Sequence, residues 1–319
     1  MTSRRKELAN CWARSAECRR FRFPTTWQAV VLATEERRYL TNGLLLPGEA
    51  LPDGVYRIAA AVEYNGRAFC GWQRQSHSPS VQAEVEAALS FVANQPIVLT
   101  CAGRTDTGVH ATNQIVHFDT TATRSPHNWV HGANSRLPDG VRLHWAGAVG
   151  GDFHARFSAT SRTYRYILCN EAVPSGLFRG LMTWCRAPLD ATTMHRAAQG
   201  LVGENDFSSY RAAGCQSRTP FRRVDAIRVW RQGTLVVVEV SANAFLHHMV
   251  RNIVGALMAV GKGLRPLHWP TELLQLRDRT RGEVTAPPDG LYLVAVGYPD
   301  NGKIPGFAPG PHLVHDAES

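Results

Sequence analysis

Gly103-Arg104-Thr105-Asp106-Thr107-Gly108-Val109-His110 lies between two apolar, β-prone runs, residues 97–101 and 114–118. Reading the octet as a turn between two strands sets the centre of the fold, because helical patterns lie on both outer sides of the strand pair. Glycine lets the chain turn sharply or approach a ligand closely without a Cβ penalty. The acid between the two glycines is presented outward, and Arg104 beside it favours its charged form. A carboxylate offered in this way suits a nucleophile. An isolated turn of this kind usually does no more than accept local backbone bonds, so the case depends on the rest of the chain.

Outward from the octet, residues 55–64 read as a strand. Val81, Val85, Ala88, Leu89 and Val92 recur at helical spacing behind Ser80, a suitable N-cap. Ser125-Pro126 opens a second helix with Trp129, Val130 and Ala133 on its inner face. After the turn Pro138-Asp139-Gly140, residues 141–149 form a further strand. The order is β-α-β-β-α-β, the ferredoxin-like arrangement. The second half repeats it. Residues 162–169 are a strand, and Asp190 caps a helix carrying Met194, Ala197, Ala198 and Leu201. Strands 224–230 and 235–240 meet through the hairpin signal Arg231-Gln232-Gly233-Thr234. A long helix over 245–260, a short one over 271–276 and a strand over 291–296 complete the unit. The expected fold is α+β, with two ferredoxin-like (RRM-like) units, 55–160 and 161–298, flanking a central catalytic cleft. Residues 1–54 are expected to form a flexible N-terminal extension. Residues 299–319, rich in proline and glycine, are expected to wrap loosely over the surface as a tail.

Of the 319 residues 44% are hydrophobic and 19% charged, enough for a sizeable core. The formal charge of +9 favours a polyanionic partner, nucleic acid first. Only three of the 35 basic residues are lysine, however, and a GC-rich coding bias gives the same excess. The seven cysteines are odd in number and none sits at Cys-x-x-Cys spacing, so neither a disulfide framework nor a zinc site is expected. Reduced thiols in a cytoplasmic protein are the simplest reading. His247-His248 and His154 lack an evident set of ligand partners, so no metal is expected either. No run of about 18 apolar residues marks a membrane span.

Four groups of residues bear on chemistry. In the helix read over 245–260, His247, Arg251 and Gly255 form a row opposite the apolar face, with Gly255 leaving space one turn beyond Arg251. A buried guanidinium needs an anion: a structural carboxylate, Asp106 across the cleft, or a substrate phosphate. In the alternating strand Ser161-Arg162-Thr163-Tyr164-Arg165-Tyr166 the two tyrosines share a face, for the core or for stacking on a base. Asp152-Phe153-His154-Ala155-Arg156-Phe157 mixes aromatic and basic residues as nucleic-acid surfaces do. Arg211, Arg218, Arg222 and Arg223 are either phosphate contacts or solvated charge.

Together these motifs resemble the TruA family of tRNA pseudouridine synthases. The resemblance rests on the Gly103–His110 octet, on Asp152 through Tyr166, and on Asn243-Ala-Phe-Leu-His-His-Met-Val-Arg-Asn252. It rests also on Tyr64-x-Gly66, Gly71-Trp-Gln-Arg-Gln75 and Cys215-Gln-Ser-Arg-Thr219. It spans roughly residues 55–299, and residues 1–52 lie outside it. It implies that Asp106 is the catalytic aspartate and that Arg251 pairs with it. It implies further that Arg104 helps displace the target nucleotide, and that Tyr164 packs on the uracil and takes part in proton removal. His247, Arg222 and Arg223 join Arg104 as candidate substrate contacts. It implies a homodimer without metal or organic cofactor, acting on uridines 38 to 40 of the tRNA anticodon arm. Two other readings compete. A non-catalytic pair of RRM-like RNA-binding units lacks the aromatic RNP pattern on its inner strands. A glycosidase-like hydrolase wants a second carboxylate as acid, and no acid in the motifs fills that role.

Overall fold

The computed structural model describes residues 54–299, 304–306 and 310–315. All but the last residue of the expected N-terminal extension, 1–54, lies outside them. The strands are β1 (Tyr56–Tyr64), β2 (Thr100–Cys101), β3 (His110–Thr120), β4 (Val141–Val149), β5 (Ser161–Cys169), β6 (Thr183–Trp184), β7 (Gly203–Asp206), β8 (Phe221–Gln232), β9 (Leu235–Ala242) and β10 (Leu291–Gly297). The α-helices are α1 (Val81–Ala93), α2 (Pro126–Asn134), α3 (Ala191–Ala198), α4 (Met249–Gly261) and α5 (Trp269–Leu276). Three of the five described α-helices start at a side-chain cap. The side chains of Ser80, Ser125 and Asp190 accept the backbone N–H of Ala83, Asn128 and Thr193. Asn94 ends α1 in the left-handed region.

The strands form one mixed sheet in the order β4-β1-β3-β10-β5-β9-β8-β7. β2 and β10 share the edge of β3 that faces away from β1. β2 pairs through Thr100↔His117 and Cys101↔Val116, whereas β10 runs parallel through Tyr292↔His110 and Leu293↔Ala111. Residues 102–109, which carry the glycine-bracketed acid, leave the sheet between these two pairings. Alternate residues of β1 serve different faces. Ile58, Ala60, Val62 and Tyr64 join the main core, while Ala61 packs with Ala102, Ile115, Ala155, Tyr298 and Ile304 on the other face.

The differences from expectation have local causes. Only Thr100–Cys101 of the run 97–101 pairs as a strand. The Ile97 and Leu99 N–H groups go instead to Ser90 Oγ and Glu86 Oε1 of α1, each at 2.9 Å. The long helix starts at Met249 rather than 245, because His248 is left-handed at φ 60°. His247 therefore stands outside the helix, and the row His247–Arg251–Gly255 does not exist. Nor does Gly255 leave space: a Cβ there would lie 2.3 Å from the Val284 carbonyl oxygen. β7 went unread because Gly-Glu-Asn-Asp has little β propensity, and it pairs along the edge of β8. The described part of the tail is docked. Val314 is buried with Ile167, Val237 and Val294, and Arg165, ion-paired to Glu239, donates to the Gly310 carbonyl.

Candidate active site

The loop carrying Asp106 is held from below. Thr105 is buried and its hydroxyl lies 2.7 Å from that of Tyr64, while its carbonyl accepts the Trp72 N–H at 3.0 Å. Two glycines let neighbouring backbone close on the loop. A Cβ on Gly66 would sit 2.0 Å from the Val109 oxygen, and one on Gly71, at φ +96°, 2.8 Å from that of Thr105. Gln114 grips the loop's start by donating to the Gly103 carbonyl and accepting the Gly103 N–H. At its end, His110 Nδ1 accepts the Gly66 N–H at 3.1 Å, so the proton resides on Nε2, which donates to the Asp289 carbonyl. Burial lowers the His110 pKa and keeps this neutral tautomer in place.

Asp106 thus stands half-exposed at a cleft of about 840 Å³. Arg104, Tyr164, Arg222, His247 and Arg251 line it as well. Tyr164 is buried on β5, edge-on to Phe245 with ring centroids 5.0 Å apart. Burial, and then the Asp106 charge, push its hydroxyl well above the ordinary tyrosine range. It therefore stays protonated and offers a ring and an O–H rather than a phenolate. Tyr166 does not share this position: its hydroxyl donates to the Pro287 carbonyl inside the core. Arg104 is exposed at the cleft.

The expected ion pair between Arg251 and Asp106 is not formed. Arg251 Nε donates to the Ala286 carbonyl at 2.7 Å, and the Ala286 N–H returns to the Arg251 carbonyl. The chain at 284–286 that excludes a side chain at Gly255 also holds Arg251. The partners of Asp106 are His247 Nε2, at 3.4 Å from Oδ1, and His248 Nε2, at 3.6 Å from Oδ2. The expectation that this histidine pair lacks ligand partners is corrected by the fold, which brings a carboxylate to both. Burial and the nearby Arg251 charge lower the His248 pKa against the pull of Asp106.

Arg222 and Arg223 separate, as successive strand residues must. Arg222 lines the cleft, its guanidinium on Ser217 and Thr219, and burial lowers its pKa. Arg223 is exposed, ion-paired to Asp225 at 2.8 Å, and not part of the cleft wall. Two cleft residues had no role in the sequence reading. Cys215 Sγ accepts the His247 N–H at 3.4 Å. Burial would raise this thiol, but that bond, the Ser217 N–H and the Arg211 charge outweigh it and lower its pKa. Arg162 is buried and donates to the carbonyls of Ala102, Arg156, Ala159 and Asn243. Its place in a quoted motif was visible in the sequence, but its two remote acceptors, Ala102 and Asn243, were not.

A family model for tRNA pseudouridine synthase matches residues 60–158 and 197–299. The tRNA pseudouridine synthase A of Shewanella frigidimarina is 52% identical over 260 residues, 82% of this chain and 100% of its own. Those of Shewanella sp. MR-4 and Shewanella amazonensis are each 53% identical over the same shares. One chain of a Cbf5-Nop10-Gar1 complex aligns over 81% of this chain and 58% of its own, at 13% identity and a TM-score of 0.28, too slight a likeness to bear on the fold. No described helix is long and apolar enough to cross a membrane. With its sequence matched in both halves and across the whole length of these relatives, the chain belongs to the tRNA pseudouridine synthase family, a family of isomerases.

Proposed function

We propose that this chain converts uridine to pseudouridine at positions 38, 39 and 40 of the tRNA anticodon stem-loop, with Asp106 as nucleophile and the target nucleotide flipped from its stack. The observation that carries the reading is the placement of Asp106. It is half-exposed on a loop clamped by Tyr64, Gly66 and Gly71, in a cleft lined by five arginines and one protonated tyrosine. The reaction breaks N1–C1′, forms C5–C1′, releases the C5 proton and returns a proton to N1. It needs no electron carrier. Asp106 acts at C1′, at C6 or on a sugar proton. Tyr164 stacks on the uracil with its hydroxyl protonated, so the C5 proton passes to water or a carboxylate rather than to a phenolate.

Flipping costs a few kcal/mol, and stacking on Tyr164 returns part of it. Arg104, exposed at the mouth, fills the vacated stack. Arg222 and Arg251 supply charge for phosphate or base oxygens. In this reading residues 55–160 and 161–298 are two ferredoxin-like units. The pairings β4-β1-β3-β2 and β10-β5-β9-β8 support this, since each follows the order 4-1-3-2 within its unit. The enzyme is a cytoplasmic homodimer in which one tRNA touches both subunits. The test is Asp106→Asn on purified tRNA with position-resolved mapping. Loss of pseudouridine with tRNA binding retained is expected. Normal turnover, release of free uracil by the wild type, or modification outside positions 38–40 overturns it.

A further inference from the structure

Among the described residues one group of three His, Cys, Asp or Glu side chains places its donor atoms within 4.8 Å of one another: Asp106, His247 and His248. They lie 141 and 142 positions apart in sequence, and only the fold assembles them. Ligand atoms on a tetrahedral zinc ion, at about 2.0–2.1 Å from the metal, are roughly 3.3–3.4 Å from each other. His247 Nε2 lies 3.4 Å from Asp106 Oδ1 and His248 Nε2 3.6 Å from Oδ2, each near that edge, so one carboxylate presents an oxygen to each imidazole and a small rotamer adjustment brings the three donors onto one ion.

The arrangement is built rather than incidental. Adjacent residues of a regular strand or helix point their side chains apart. Here the left-handed His248, at φ 60°, turns the two imidazoles onto the same side, with ring centroids 4.0 Å apart. A non-glycine residue in this region is uncommon and is held only by its surroundings. Those surroundings are present. Leu246 and Met249 are buried on either side, the Ala212 N–H donates to the His247 carbonyl at 3.0 Å, and the Asn252 N–H donates to that of His248 at 2.9 Å. All three donor side chains are 29–40% exposed, which leaves an ion a path from solvent.

We propose that Asp106, His247 and His248 form a binding site for a divalent transition-metal ion of the zinc class, and that occupancy switches the enzyme off. Two imidazoles and a carboxylate are the donor set of open zinc sites, with the remaining position for water. A metal-bound Asp106 has its lone pair engaged, and the ion fills space that the uracil must enter. The ion is an inhibitor competing with tRNA. This inhibitory half rests on the reading of Asp106 as nucleophile; the binding half does not.

The test titrates the full-length, chelator-treated chain with Zn2+ against a chromophoric chelator, and with Co2+ followed by its visible absorption. One ion per chain at this site is expected. Asp106→Asn, His247→Gln and His248→Asn should each weaken it at least about tenfold, since even outer partners of metal ligands cost that much. Asparagine tolerates the left-handed backbone at 248, and circular dichroism of each variant checks folding. Cys215→Ser should leave binding unchanged. Binding that ignores the three substitutions, or that follows Cys215, overturns the site. In the assay on tRNA, Zn2+ should raise the apparent KM and EDTA should restore it. Full activity at saturating zinc overturns the inhibitory half. A metal-free chain that makes no pseudouridine instead overturns the functional reading, while the titration still decides the site.

Discussion

Arg162 and Ala102 are joined by two hydrogen bonds from one guanidinium, Nε at 3.3 Å and Nη2 at 3.0 Å to the Ala102 carbonyl. The same side chain reaches Asn243 at 2.9 Å and the turn at Arg156 and Ala159. It therefore ties the segment entering the Asp106 loop to the segment leading to His247 and His248. Arg162→Lys keeps the charge but loses the planar fork. Hydrogen bonds from a charged group are worth about 1.5–3 kcal/mol each, so a loss of about 3 kcal/mol in urea unfolding is expected. If Asp106 acts as proposed, kcat should fall further than KM rises, because the Asp106 loop and the segment carrying its two histidine partners lose a common anchor. A lysine variant with wild-type stability and kcat removes Arg162 from this role.

The separation of Arg222 from Arg223 predicts unequal effects on tRNA. Arg222→Ala should weaken binding similarly for many tRNAs and flatten the salt dependence by about one contact, a slope change just under one. Arg223→Ala, which removes only an exposed pair with Asp225, should change little. Affinities measured across a salt series check this, and equal effects of the two variants would contradict the assignment.

His117 makes stability depend on pH. Burial, then the Arg57 and His154 charges, lower its pKa to about 4 from the ordinary 6.5. Above 6.5 both native and unfolded states are neutral here and the contribution is flat. Between 6.5 and 4 the unfolded state binds the proton and the native state does not, so stability falls as pH falls. The full loss is no more than about 3 kcal/mol. His117→Gln keeps an acceptor for the Ala155 N–H, which now bonds Nδ1 at 3.0 Å. Denaturation at several pH values should show a shallower acid slope for this variant than for the wild type.

Deleting residues 1–52 should leave the fold and the activity nearly intact. β1 begins at Tyr56, and relatives align over their whole length with 260 residues of this chain. Melting temperature and turnover of the shortened chain are the measurements. Insolubility or a lost rate would place the deleted segment on the core or on the tRNA.

Caps, turns and apolar runs, whose partners lie within a few residues, were legible in the chain alone. Ser80, Ser125 and Asp190 start helices because their side chains take N–H groups three residues away. Apolar, β-prone runs bounded by turn signals gave β1, β4, β5, β8, β9 and β10 to within about three residues of their ends. The acid between Gly103 and Gly108 was legible because a turn advertises itself within a few residues, and the motifs around it carried the family. The tertiary structure decided which of these residues meet. That His247 and His248, rather than Arg251, are the partners of Asp106 follows from a left-handed backbone at 248 and from Ala286 taking the Arg251 guanidinium. The role of Arg162 and the docking of Val314 likewise rest on contacts between residues far apart in the chain. Periodicity encodes neighbours at two, three or four residues; which remote carbonyl or carboxylate fills the space beside a side chain is set only when the whole sheet has closed.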